Sequence, residues 1–238
     1  GVVEVSGPYA DGTPDDGTNL AMRALAALRD RGADLPELTV TLDKQVPPAG
    51  GLGGGASDAA TVLRLAQPIS GCSDEAVVGA ANAVGSDEAA LILGGTVRAR
   101  GRGDTVEALP DIAEHGVVLF VPRTTIAGKT ARMFGALPTT GFDTGGVAGR
   151  FSAGGPAALT GLDVYNAFER VAFDVFEGLG SLCEDLAGRT GEPVRLAGAG
   201  PTLFWIGPEG EADRIAALAD GANCRVIRTR TARSRWRR

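Results

Sequence analysis

The chain has 238 residues, 44% of them hydrophobic and 22% charged, with a net charge of −6. This is the composition of a globular protein long enough for one large core or two modest ones. No run approaches the roughly eighteen apolar residues of a membrane span and no charged-then-apolar leader precedes a cleavage site, so no membrane partner is expected and a cytoplasmic location follows as the default. Cys72, Cys183 and Cys224 are odd in number, far apart and without a histidine cluster, which argues against a disulfide framework or a zinc site; they read as small apolar fillers. The last fourteen residues, from Arg225, carry seven arginines and no acid. Trp236 alone makes no stacking ladder for bases, so this end is read as a frayed, solvated strand and not as a nucleic-acid contact.

In chain order, Gly1 to Ser6 reads as a strand, so the sequence is expected to start inside a domain. Gly7 to Thr18 is a loop rich in Gly, Pro, Asp and Thr. Leu20, Ala24, Leu25 and Leu28 share one face of a helix over Ala21–Arg29, capped by Thr18 or Asn19. Leu38 to Leu42 is a strand. It leads into Pro47-Pro-Ala-Gly-Gly-Leu-Gly-Gly-Gly-Ala-Ser-Asp-Ala-Ala60, which holds five glycines.

Such a loop lets main-chain N–H groups meet a ligand with no Cβ in the way. Behind it, Ala59, Val62, Leu63 and Ala66 recur at helical spacing, so the loop feeds a helix N-terminus, where free N–H groups and the dipole favour an anion. The helix is expected to stop at Pro68. Three glycine loops compete for this stretch. Gly50 and Gly55 have the spacing of a P-loop, but Ala56-Ser57 stands where Lys-Ser or Lys-Thr is required. Gly51-Leu-Gly53-Gly-Gly-Ala56 satisfies a dinucleotide-binding pattern. However, Pro47-Pro48 separates it from the strand, and Ser73-Asp-Glu75 lies in a polar loop where a ribose-binding acid should end a second strand. The third is Pro-x-x-x-Gly-Leu-Gly-Ser-Ser-Ser-Ala, matched by Pro47 to Ser57. Against all three stands a plain turn joining strand to helix, which seldom needs five glycines.

Asp74 to Val84 is predicted as a helix. The Gly94-Gly95 pair between apolar runs suggests a hairpin or tight strand junction, which places Asp87 at the entrance to a buried strand, where an acid can simply cap a turn. Val117 to Val121 is a strand, with a domain boundary expected just before it. His115, the single histidine, lies in that preceding loop and reads as a surface residue. Thr139 to Pro156 reads as a long loop that moves or covers a ligand. Two helices follow from Asp163 to Gly188, divided near Gly178 to Gly180. Val194 to Ile206 reads as strand, glycine turn, strand; Glu211 to Ala219 as a helix; Cys224 to Arg228 as a last strand.

The glycine loop resembles that of the GHMP kinases, and its Gly-Leu-Gly-Gly-Gly-x-Ser-Asp-Ala-Ala form resembles the 4-diphosphocytidyl-2-C-methyl-D-erythritol kinases of non-mevalonate isoprenoid biosynthesis. The likeness runs along nearly the whole chain. Thr18-Asn-Leu resembles the family's adenine-side Asn-Leu, Asp43-Lys44 its Asp-Lys before the loop, and Gly85-Ser-Asp87 its Gly-Ala-Asp. Gly94-Gly-Thr and Gly101-Arg-Gly-Asp104 resemble its Gly-Gly-x-Ala and Gly-x-Gly-Glu, and Lys129-Thr-Ala-Arg-Met-Phe134 its cytosine-flanking segment. Asn166-Ala-Phe-Glu169 resembles its Asn-x-Phe-Glu, and Ala197-Gly-Ala-Gly200 stands at its third motif, usually Ser-Gly-Ser-Gly.

By this resemblance the fold is α+β and two-lobed: an incomplete lobe like domain 2 of ribosomal protein S5 (residues 1–113, ATP-binding), then a ferredoxin-like lobe (residues 114–238), with ligands in the cleft between them. ATP is expected on Asn19, Lys44, Pro47, Pro48, Ala49, Gly50, Gly51, Leu52, Gly53, Gly54, Gly55, Ala56 and Ser57. The substrate is expected on Thr130 and Phe134, the third motif is represented by Gly198 and Gly200, and no residue is assigned to a metal. Asp87 becomes the catalytic base. The implied reaction is ATP-dependent phosphorylation of the substrate's 2-hydroxyl with Mg²⁺, by a small-molecule kinase that is a monomer or homodimer and binds neither nucleic acid nor membrane. Ala56, Ala197 and Ala199 replace family serines, and Glu88-Ala89 an apolar-Pro pair. The family's Lys-x-Asn and Asp-Gly-Tyr-His segments would precede Gly1. Two other readings stand beside this one: another GHMP kinase, of homoserine or mevalonate type, or a nucleotide-binding module without catalysis.

Overall fold

The structure is a computed structural model that describes residues 1–124, 126–140, 149–151 and 159–233. The chain forms two compact units, one of Gly1–Pro48 and Gly53–Leu109, the other of Ala49–Leu52 and Pro110–Arg233.

In the first unit, β1 (Val2–Ser6) and β2 (Thr39–Asp43) pair in parallel with Val2 opposite Thr39, joined through α1 (Leu20–Arg29). Asn19 caps α1, its Oδ1 accepting from the Ala21 N–H at 2.9 Å while its amide donates to the Pro14 carbonyl at 2.6 Å. α2 (Gly54–Ser70), α3 (Asp74–Val84) and α4 (Glu88–Leu93) follow, and α2 packs on α1, α3 and α4. The buried faces are mostly small: Ala21 and Ala24 on α1, Ala59, Ala60 and Ala66 on α2, Ala80 and Ala81 on α3. Small contact residues bring helix axes close, and Leu25, Leu28, Leu63 and Val77 fill the core between them. β3 (Val97–Arg100) and β4 (Thr105–Ala108) form a hairpin turned at Gly101–Asp104.

Two expectations change here. α2 runs through Pro68 to Ser70 and ends at Gly71 in the left-handed conformation; the proline removes one hydrogen bond in the last turn of a helix already committed by its buried stripe. The run Ala89–Leu93 is helix, not strand. Ala89 and Ile92 are buried and Leu91 is exposed, a helical period, so Asp87 sits at a helix start and Gly94 ends that helix.

The second unit holds β5 (Gly116–Val121), α5 (Lys129–Ala136), α6 (Glu169–Val175), α7 (Leu179–Thr190), β6 (Arg195–Leu196), β7 (Leu203–Gly207), α8 (Ala212–Leu218) and β8 (Arg225–Arg230). Its sheet is antiparallel in the order β6-β7-β5-β8. Val118 and Phe120 alternate inward from β5 and meet Phe176, Leu186, Leu203, Trp205 and Ile215. The start of the arginine-rich end is not frayed: β8 pairs with β5 along its length, and Arg228 and Arg230 reach Asp213 and Glu209. The helical pair begins at Glu169, after a 3₁₀ turn at Gly161–Asp163, and not at Asp163.

His115 is buried, at 3% exposure, and not a surface residue. Its Nδ1 lies 2.6 Å from the Ala113 carbonyl and its Nε2 accepts from the Leu159 N–H at 2.6 Å, which calls for a proton on Nδ1 and makes the ring a cross-link. The loop reading of Thr139 to Pro156 falls mostly on residues 141–148 and 152–158, outside the described residues. Among the described residues no helix is long and apolar enough to cross a membrane.

Two outcomes follow for stability. Asn19→Ala removes a cap and a tie to Pro14, and should cost about 1–2 kcal/mol in urea denaturation. Glu88 is buried at the start of α4, and desolvation raises its carboxyl above the ordinary 4.5, with Asp87 adding repulsion and Arg23 opposing it. The folded state therefore holds this proton longer than the unfolded chain, and the stability linked to it is lost as pH rises from about 4.5 through the folded value. Glu88→Gln should lose less stability than the parent over that interval, read from denaturation midpoints at a series of pH values.

Candidate active site

Pro47 and Pro48 have no N–H, and directly after them the backbone alternates. Ala49, Gly51 and Gly53 take φ of 55°, 82° and 68°, while Gly50 and Leu52 between them keep ordinary negative φ. Alternation of this kind turns successive N–H groups toward one concavity, a shape that binds anions. Among the described residues, no N–H from Ala49 through Ala56 donates to a protein acceptor; the first to do so is that of Ser57, to the Gly53 carbonyl at 2.9 Å. Gly53 precedes α2 with no side-chain cap, so the first turn of a 17-residue helix keeps its donors and its positive end.

The first half of the loop is held by backbone packing. A Cβ on Gly51 would overlap the Ala197 carbonyl and stand 2.8 Å from the Gly200 nitrogen, and the Thr202 N–H donates to the Gly50 carbonyl at 3.2 Å. The turn it lies against keeps its own shape through backbone bonds, Ala197 N–H to Thr202 at 2.9 Å and Gly200 N–H to Ala197 at 2.8 Å. Gly198 and Gly200 both have positive φ. Ala197 and Ala199 therefore leave the turn intact while removing two hydroxyls.

Other residues expected at the nucleotide act as supports. The Lys44 side chain is buried and pairs with Asp58 on α2, and Asn19 is committed to its cap and to Pro14. Ala56 is buried, whereas Pro48, Ala49, Gly53 and Ser57 are exposed.

Asp87 and Glu88 divide cleanly. Glu88 turns inward, its carboxylate accepting from the Asp87 N–H at 3.1 Å and lying so close to Gly85 that a Cβ there would overlap it. Asp87 is exposed, and its carboxylate makes no hydrogen bond or ion pair with a described residue. Behind it the hairpin turn packs backbone to backbone: a Cβ on Gly103, at φ 92°, would overlap the Ser86 carbonyl. The loop end at Gly53–Ser57, Lys44, Asn19 and Asp87 belong to the first unit; Ala49–Leu52, Thr130, Phe134, Gly198 and Gly200 to the second.

In the second unit Thr130 and Phe134 are exposed on α5, and the Phe134 ring, 62% exposed, meets Phe168 edge to face at 5.0 Å. Three residues without an assigned role prove to hold the glycine turn. Asn166 donates to the Leu196 and Gly198 carbonyls at 2.9 and 2.7 Å, and Glu169 accepts from the Leu196 N–H at 2.8 Å. Lys129 donates from Nζ to the carbonyls of Ala49 at 2.8 Å and Gly200 at 2.6 Å, and desolvation lowers its pKa. Asn166, Glu169 and Lys129 all lie in motif matches, but nothing in those matches named these bonds.

Comparison with known proteins gives the family. Residues 19–95 match the GHMP kinases N terminal domain. A 4-diphosphocytidyl-2-C-methyl-D-erythritol kinase of Dehalococcoides mccartyi is 32% identical over 194 residues, 79% of this chain and 68% of the relative. The kinase of that name from Rhizorhabdus wittichii is 34% identical over 222 residues, 90% and 72% of the two chains. A crystal structure of a 4-(cytidine 5'-diphospho)-2C-methyl-D-erythritol kinase superposes with a TM-score of 0.70 at 27% identity, covering 96% of this chain and 81% of that one. At these identities and coverages, the chain belongs to the 4-diphosphocytidyl-2-C-methyl-D-erythritol kinase family of the GHMP kinases.

Proposed function

We propose that this chain transfers the terminal phosphoryl group of ATP to the 2-hydroxyl of 4-diphosphocytidyl-2-C-methyl-D-erythritol. The observation that carries the reading is the run of N–H groups from Ala49 through Ala56 that donate to no described protein acceptor and lead into the start of α2. Buried and half-buried donors, which this row holds at Gly50, Gly51, Leu52 and Gly54 to Ala56, are almost always paired, and open donors at a helix start suit a phosphate. Phosphoryl transfer asks the protein chiefly for position and charge neutralisation.

In this reading Pro47 and Pro48 set the entry of the loop. Gly50, Gly51, Leu52, Gly53, Gly54, Gly55 and Ser57 line the phosphates, with Asn19 and Lys44 supporting the nucleotide side. Asp87 accepts the proton of the attacking hydroxyl, Thr130 and Phe134 flank the cytosine, and Gly198 and Gly200 back the loop. The domains are assigned to residues 1–113 and 114–238. Mg²⁺ would be carried by the phosphates themselves. The Ser57 hydroxyl, exposed in the first turn of α2, is the protein oxygen that would approach it. When bound, the ion neutralises charge on the triphosphate.

Steady-state assays with ATP and each of three alcohols test the substrate: turnover is expected with the cytidylyl substrate and not with homoserine or mevalonate, and turnover on homoserine alone would overturn the reading. Ala56, Ala197 and Ala199 favour a second reading, a nucleotide-binding module without catalysis. It predicts calorimetric binding of a nonhydrolysable ATP analogue with no turnover on any of the three.

Asp87→Asn keeps the shape of the side chain and removes its proton-accepting charge. Turnover should fall about a hundredfold or more with little change in affinity for the ATP analogue. Normal turnover in that variant would remove Asp87 from the mechanism.

A further inference from the structure

The glycine loop carries no lysine where a P-loop has one: Ala56-Ser57 occupies that position. A cation nevertheless stands at its first half. Lys129 opens α5, and its Nζ is held by the carbonyls of Ala49, inside the loop, and Gly200, in the turn the loop packs on. An ammonium has three donors, and two are engaged here. No carboxylate among the described residues pairs with it, so the full charge of a half-buried group remains uncompensated. Burying a cation without an anion is costly, and two carbonyl dipoles offset that cost only in part. Gly128 before it leaves the start of α5 without a side-chain cap, adding the positive end of an eight-residue helix on the same side of the charge balance.

We infer that Lys129 is an anion-binding residue of the site, supplying to a phosphate oxyanion the positive charge that the loop itself lacks. The inference rests on the reading of the loop as a phosphate cradle. The two carbonyls fix Nζ before any ligand arrives, so little side-chain entropy remains to be lost on binding. The oxyanion has two sources, the nucleotide's phosphates or the diphosphate of the cytidylyl substrate, since Thr130 and Phe134 share α5 with Lys129.

The test uses the full chain and three variants. Lys129→Met removes charge and donors, Lys129→Gln keeps two amide protons for the carbonyls but no charge, and Lys129→Arg keeps the charge. Calorimetry measures the nonhydrolysable ATP analogue and adenosine, and steady-state kinetics measures KM for the cytidylyl substrate. Met and Gln should both weaken one phosphate-bearing ligand about tenfold or more, leave adenosine unchanged, and flatten the salt dependence of binding, while Arg recovers most of the loss. Loss confined to the analogue assigns the nucleotide phosphates; loss confined to KM assigns the substrate diphosphate. If Gln binds both ligands like the parent, or if Met weakens adenosine as much as the analogue, Lys129 is only a latch and the inference falls. A parent chain that binds neither phosphate ligand would instead overturn the cradle itself.

Discussion

A backbone that must leave a row of N–H groups unpaired has to be held from its other side. That constraint governs this structure. Between Ala49 and Ala56 the chain gives up the hydrogen bonds that would normally fix it, and what replaces them is contact through carbonyls and bare Cα atoms. Thr202 donates to Gly50, Lys129 donates to Ala49, and Gly51 lies against Ala197 and Gly200 with no room for a side chain. The glycine turn that receives the loop is itself clasped by Asn166 and Glu169. The carbonyls of Ala49 and Gly50 are engaged while the N–H groups beside them are not.

The same economy of backbone contact recurs at the acid. Gly103 meets the Ser86 carbonyl at a distance that excludes a Cβ, so the segment Gly85–Glu88 is located by the hairpin's main chain as well as by its own Glu88 carboxylate beside Gly85. Within it two adjacent carboxylates have opposite fates. Glu88 is drawn in to accept the Asp87 N–H, which orders the start of α4 and leaves Asp87 exposed and uncommitted. A base needs an accessible lone pair, and the fold keeps one carboxylate available by burying the other.

Two residues that the motif match places against the nucleotide are also engaged within the protein. Lys44 is joined to Asp58 and Asn19 to the first turn of α1, so both stiffen the elements that flank the loop. The replaced serines follow the same logic. Ala197 and Ala199 sit in a turn closed by backbone bonds, and Ala56 is buried, so none of the three positions needs a hydroxyl to hold the local backbone.

What was legible in the sequence is what depends on neighbours a few residues away. The five glycines before a helical stripe, a cap at Thr18 or Asn19, the α3 segment and the β5 strand are local consequences of φ freedom, capping and composition, and their residue types state them directly. Short apolar runs were ambiguous because strand and helix write the same five letters, which is why Ala89–Leu93 read as strand until α2 gave it a helical face to pack on. Long-range polar partners were not legible at all. His115 reads as a lone surface residue of a loop until Leu159 donates to it, and Lys129 only as the start of a motif-like segment until Ala49, eighty residues earlier, presents a carbonyl. The sequence by itself determined where the chain could leave its backbone donors free; only the tertiary structure decided which distant acceptors and cations surround them, because hydrogen bonds across such separations depend on how the whole chain packs and not on any pattern along it.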